Sequence, residues 1–297
     1  MMVSLLLAGA LAFADTARPA RPVRPVAAPG AQLALVSKQF KFTEGPAVDR
    51  QGNVFFTDQP NDRIWKYSTD GKLTIFMSSA GRSNGLDFDA KGNLLACADG
   101  QNQLWSISPA GKVTVLVNNF QHHRFNGPND VWVNRVSGGI YFTDPLYKRD
   151  YWTKSPDVVG QNVYYLGPGA KVPVLAADQL VQPNGIVGTP DGRRLYVADI
   201  GANKTYRYEV GPDGRLTNRQ MFVEQGSDGM ALDGEGNLYL TGQGVTVYDA
   251  KGQKIDHIDV PEPWTANVCF AGKDLKTLFI TASEAVYTLH LRVQGVR

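Results

Sequence analysis

Six times along the chain a turn rich in Gly and Asn leads into a short hydrophobic strand: GNVFFTD from Gly52, GNLLACADG from Gly92, GGIYFTDP from Gly138, GRRLYVADI from Gly192, GNLYLTGQG from Gly236 and KTLFITAS from Lys276. Upstream of these turns, in similar register, stand Glu44, Asn84, Asn129, Asn184, Asp228 and Asn267. Repeats of about 40–50 residues, each rich in short strands, are the signature of four-stranded blades set around an axis. The chain is therefore predicted to be all-β, a six-bladed β-propeller. Equivalent positions in such an array converge on one axis, so the shared register brings together side chains that offer only carboxylate or amide groups.

Flanking segments agree with this reading. RIWKYSTDGKLTIFM from Arg63, QLWSISPAGKVTVLV from Gln103 and KTYRYEVGPDGRLT from Lys204 alternate apolar and polar residues about a tight turn, where Gly supplies the positive φ that a hairpin needs. No stretch carries a helical period. The segment Gln32–Phe42 has strand character without a blade of its own. It is expected to pair with the last strands, around Ala285–Val293, closing the ring and covering a sheet edge.

The uninterrupted repeat makes one domain of residues 32–297. Scattered Lys and Arg with a formal charge of +2 argue against a nucleic-acid partner. Val3–Phe13 is apolar but short for a membrane span, and Ala12-Phe13-Ala14 forms a small-x-small cleavage site, so residues 1–14 read as a signal peptide, although no Lys or Arg precedes the apolar run. The mature protein is then periplasmic or secreted and free of the membrane, and a monomer is expected. Residues 15–31 are Pro-rich and read as an extended linker. Cys97 and Cys269 lie in strand patterns of the second and sixth repeats, too far apart in the ring to bridge, and are expected to be buried free thiols.

Among the axis candidates, Glu44 sits in FTEGPAVD, Asn129 in NGPNDVWV, Asn184 in QPNGIVG and Asp228 in GSDGMALD, each at the entry to an apolar strand. Asn-Gly and Asp-Gly are also ordinary turn pairs. What distinguishes the set is that every repeat chooses an oxygen-bearing side chain at the same place. Hard oxygen donors of this kind suit Ca²⁺, with Mg²⁺, Mn²⁺ or Zn²⁺ as alternatives. The four histidines show no zinc-type spacing.

The motifs Glu44-Gly45-Pro46, Asn126-Gly127-Pro128-Asn129-Asp130 with Tyr141-Phe142-Thr143-Asp144-Pro145, Pro183-Asn184-Gly185 and Ser227-Asp228-Gly229 together resemble the gluconolactonase and senescence-marker-protein (regucalcin) family, in the expected order from Phe42 onward. The resemblance implies one axial divalent cation held by Glu44, Asn129, Asn184 and Asp228. It also implies hydrolysis of a lactone, often a sugar lactone, with Asp228 as the proton-transferring residue and Glu44 as the second carboxylate. The animal sugar-lactonase branch runs Arg-x-Asn directly into Asp, whereas this chain has Arg124-Phe125-Asn126, then Gly127-Pro128, then Asn129-Asp130. Either Arg124 and Asn126 form the substrate-binding pair or Gly127 fills the Arg position. A related phosphotriesterase branch binds a second calcium through a carboxylate three residues after the axial Asp; here that position is Ala231, which predicts no such site. Asn84 reads as a pocket amide, as does Asn129 in addition to its place among the metal ligands. Tyr147, in the loop LYKRDYWTK, is placed to cover a small-molecule substrate. Asn267, Asp99, Asp144 and the His122-His123 pair carry no assigned role. Hydrolysis of phosphotriesters or other esters on the same scaffold, or a non-enzymatic binding propeller, remain as alternatives.

Overall fold

The computed structural model describes residues 25–152 and 155–296, and the expected signal peptide and residues 15–24 of the expected linker lie outside them. The chain is a six-bladed β-propeller. The first four blades are antiparallel four-stranded sheets whose innermost strands are Thr43–Val48, Ser83–Phe88, Val131–Val133 and Pro183–Gly188. The fifth and sixth begin at Met230–Leu232 and Thr265–Ala271, and pairing of Gly242 with Thr265 runs these two together into one eight-stranded sheet. No helix among the described residues is long and apolar enough to cross a membrane.

The ring closes as expected from Gln32–Phe42. Ala34–Ser37 pairs antiparallel with Ala285–His290 and supplies the outermost strand of the sixth blade. The first strand of the chain and the last blade are thus held by a ladder that closes the ring and covers the edge of Ala285–His290. Packing begins earlier than the boundary at residue 32. Val26 is buried in the core beside Leu291 and Val293, its N–H donates to Asp256 Oδ2 at 2.7 Å, and Ala27 bridges Leu291. The end of the Pro-rich stretch therefore belongs to the folded body.

The Gly-Asn signature has a local cause. In DRQGN, DAKGN and DGEGN, the carboxylates of Asp49, Asp89 and Asp233 accept the backbone N–H of Asn53, Asn93 and Asn237 at 2.8–2.9 Å. The same Asn side chains donate back to the acids at 2.7–2.8 Å. Gly52, Gly92 and Gly236 hold the positive φ that closes each turn (89°, 84° and 81°). Aromatic rings interlock within and between blades: Phe55 lies edge-on to Phe76 of its own blade at 5.0 Å and to Phe88 of the next at 5.2 Å.

Glycine at the axis is a matter of room. A Cβ on Gly45 would lie 2.1 Å from the Asn84 carbonyl oxygen, and one on Gly229 would lie 1.9 Å from Asn267 Cγ. Each innermost strand can approach its neighbour only because these positions lack a side chain. Gly229→Ala is expected to lower the free energy of unfolding by about 1–3 kcal/mol, the usual cost of overpacking, measured by denaturant titration; an unchanged midpoint would contradict this close approach.

Candidate active site

At one mouth of the axial channel lies a cavity of about 470 Å³ whose lining includes Glu44, Asn84, Asn129, Asn184, Asp228 and Tyr147. The structure thus brings together both expected carboxylates, the expected amides Asn84, Asn129 and Asn184, and the expected lid tyrosine, but not the expected Asn126. They meet because each polar residue stands at or just before the start of an innermost strand, where the chain turns in toward the axis.

The sixth register position is occupied differently from the sequence reading. Thr43, Pro183 and Thr265 pair with Asp58, Asp199 and Ala282 at the ends of the second strands. The residues that follow them are Glu44, Asn184 and Ala266. Asn267 is therefore one place too far along; it packs over Gly229 and donates to Glu44 Oε2 at 3.3 Å. Arg124 and Asn126 are not part of the cavity lining. Asn126 is buried, and its amide donates to the carbonyls of Asp144 and Gly160 at 3.0 and 2.8 Å. The Arg124 backbone ties to Asp157 and Val158, and His122 and His123 are exposed in the same loop. The Arg-x-Asn pair here builds a loop and leaves the pocket to others.

Glu44 is buried and its Oε2 accepts the Gly45 N–H at 2.7 Å. Burial, and then the nearby charge of Asp228, push its carboxyl well above the ordinary range. Asp228 is also raised by burial, an effect opposed by donation from Trp264 Nε1 to its Oδ2 at 2.6 Å, by Asn184 and Glu44, and by the charge of Arg149. Two facing buried carboxyls share protons as a unit. Trp264→Phe removes the donor that favours ionised Asp228. The acid limb of a pH–rate profile should then move upward by about one to two units, the loss of a charged hydrogen bond; a limb that stays put would detach Asp228 from the titration.

Trp264, Gln59 and Arg149 also line the mouth, and sequence reasoning had passed over all three. Beneath it, Asp130 borders a narrower channel with Asp87, Ala231 and Asn267. Burial pushes Asp130 up to about 8, although it accepts N–H groups from Val131 and Ile186 at 2.9 and 3.3 Å. Tyr147 accepts the Asn184 amide at 2.9 Å, and burial raises its phenol, keeping it neutral.

The donor set fits a hard divalent cation. Two carboxylates face one another, and the side-chain amides of buried Asn84 and Asn129 have no hydrogen-bond partner among the described residues. Among the described residues no three His, Cys, Asp or Glu side chains gather into a metal-binding group, so a cation here depends on amide oxygens, a poor match to zinc. A larger cleft of about 940 Å³ between the first two blades, on the opposite face, offers no such set, because Asp49 and Asp89 are spent on their own turns.

Known proteins share this arrangement of blades. A gluconolactonase from Zymomonas mobilis is 28% identical over 296 aligned positions, covering 89% of this chain and 82% of the relative. The solved structure of a gluconolactonase from Xanthomonas campestris superposes with a TM-score of 0.83 at 29% identity, covering 92% of this chain and 99% of the other. The calcium-binding protein regucalcin from Agrobacterium tumefaciens, at 19% identity, has the same fold (TM-score 0.75, covering 90% of this chain and 96% of the other). Residues 42–284 match the model of the SMP-30/gluconolactonase/LRE-like region, and the chain belongs to that family.

Proposed function

We propose that the protein is a lactone hydrolase working at the axial mouth, with one divalent cation, Ca²⁺ first among the candidates, held by Glu44, Asn129, Asn184 and Asp228. The observation that carries this reading is the meeting of Glu44 and Asp228 with unpartnered amides of Asn84 and Asn129 in one cavity. Gluconolactonase relatives that span most of the chain support the reaction class and make a sugar lactone such as gluconolactone the first substrate to try. When bound, such a cation polarises the lactone carbonyl and offsets negative charge on its oxygen.

The chain's own groups would do the rest. Asp228 takes a proton from water as the water oxygen bonds to the carbonyl carbon, then returns it to the ring oxygen as the C–O bond breaks, leaving a hydroxy acid. Trp264 keeps the Asp228 carboxylate oriented through Oδ2. The amides of Asn84 and Asn129 are free to orient the lactone, and Tyr147, held by Asn184, closes one side. We propose export on the sequence of residues 1–14 alone, and a monomer in solution.

The test is proton release from gluconolactone, δ-valerolactone, an aryl ester and a phosphotriester by the purified protein. Faster opening of lactones than of either other class is expected. Preference for the phosphotriester or the aryl ester would replace this reading with the alternative hydrolase, and no turnover of any would leave a binding propeller.

A further inference from the structure

In three blades the acid at the end of the second strand has a structural task. Asp58 accepts the N–H groups of Lys41 and Phe42 at 3.0 and 3.3 Å, Asp144 those of Asn126 and Gly127 at 2.9 and 2.8 Å, and Asp199 those of Val181 and Gln182 at 2.9 and 2.8 Å. Each clasps the loop that enters the innermost strand. In the second blade the matching residue is Ala98, which pairs with Ser83 as Asp58 pairs with Thr43. The acid comes one residue later, as Asp99, in the place taken by Gln59 and Ile200, both of which face the cavity.

Freed from clasping backbone, Asp99 collects side chains from across the mouth. It is 3% exposed, and its Oδ2 accepts Gln59 Nε2 at 3.1 Å, Arg149 Nε at 2.9 Å and the Tyr151 hydroxyl at 2.6 Å. Its carbonyl accepts Trp152 Nε1 at 2.9 Å. The loop after Pro145 is thereby fastened over the pocket at three of its side chains. A buried carboxylate is tolerated only with such partners.

Arg149 is the one cationic residue lining the cavity among the described residues. Its guanidinium spends Nε on Asp99 and lies 5.3 Å from the Tyr147 ring centroid, while neither terminal NH₂ group has a hydrogen-bond partner among the described residues. We propose that Arg149 is a specificity-determining residue whose open edge donates to the exocyclic hydroxyls of a polyhydroxylated lactone, with Asp99 as the positioning residue that pins it there. Arginine offers donors in a fixed fork and no acceptor, so it suits clustered hydroxyl oxygens. Asp99 already balances its charge, which favours a neutral ligand over an anionic one. This role rests on the lactone-hydrolase reading.

The experiment compares wild type, Arg149→Ala, Arg149→Lys and Asp99→Asn on gluconolactone and on unsubstituted δ-valerolactone, and separately follows trypsin cleavage after Lys148 or Arg149 in ligand-free wild type and Asp99→Asn. Arg149→Ala should raise KM for gluconolactone about 10- to 100-fold, one or two lost hydrogen bonds, at least about ten times the effect on δ-valerolactone, with kcat falling less than KM rises. Arg149→Lys should not restore the difference, and Asp99→Asn should reproduce it in part while speeding cleavage of the loop. Parallel losses on both lactones, or none, would overturn the specificity role. If wild type opens neither lactone, the lactone reading falls and the role of Arg149 with it. Equal trypsin rates would overturn the pin on their own.

Discussion

Asp228→Asn is expected to reduce kcat for lactone opening by about 10²–10⁴-fold, the usual contribution of a positioned acid–base group, with the fold intact by circular dichroism. The amide keeps the shape of the side chain and a partner for Trp264, but it cannot take a proton from water or return one to the ring oxygen. Glu44→Gln should behave differently. Its buried carboxylate faces the same point from the first blade and is held by the Gly45 N–H, so its chief loss should be cation affinity. The comparison to make is kcat at saturating cation beside cation affinity for each variant. Wild-type turnover in Asp228→Asn would remove it from the chemistry.

The second large effect concerns stability. In the metal-free protein, burial raises Asp130 to about 8 and Asp144 to about 7, and lifts Glu44 and Asp228 as well. An acid whose folded value lies above its unfolded one, about 4, binds more protons when folded. Its contribution is complete below pH 4 and is lost as pH rises through the folded value. Metal-free protein should therefore lose about 5–7 kcal/mol of unfolding free energy between pH 5 and pH 8.5. Added Ca²⁺ should counter the loss, because binding favours ionised carboxylates and stabilises by about 2.7 kcal/mol at a hundredfold excess over Kd. The rise in Tm with Ca²⁺ should grow with pH and shrink sharply in Glu44→Gln. A Ca²⁺ effect equal at both pH values, or unaltered in Glu44→Gln, would place the cation elsewhere.

Much of this architecture was legible because propeller repeats write their turns into the sequence. The Asp-x-x-Gly-Asn clasp recurs at Asp49, Asp89 and Asp233 and marks the turn that follows the innermost strand in the first, second and fifth blades. Glu44, Asn84, Asn129, Asn184 and Asp228 followed from register alone, since one position per blade faces the axis. Asn267 was misplaced by one residue because distance to the next turn varies from blade to blade. The residue before each register position, Thr43, Ser83, Pro128, Pro183 and Ser227, is a hydroxyl or a proline, and Thr265 in that series points to Ala266.

Contacts between blades were not legible. Asp99 and Arg149 are fifty residues apart, and only the way the loop between the second and third strands of the third blade folds back over the second blade brings them together. Trp264 gave no local signal, because its role is a single bond to an acid thirty-six residues upstream. Arg124 and Asn126 carry a recognisable spacing, but the longer Asn126-Gly127-Pro128-Asn129 connection turns Asn126 onto backbone carbonyls.

The most direct measurement strips the protein of metal, titrates Ca²⁺ back, and follows binding heat and gluconolactone opening on the same samples, with Glu44→Gln beside wild type. The account predicts that turnover is lost on stripping and returns in step with one bound equivalent, and that Glu44→Gln shifts both curves together to higher Ca²⁺. Full turnover in the stripped protein, or tight binding that Glu44→Gln leaves untouched, would contradict it.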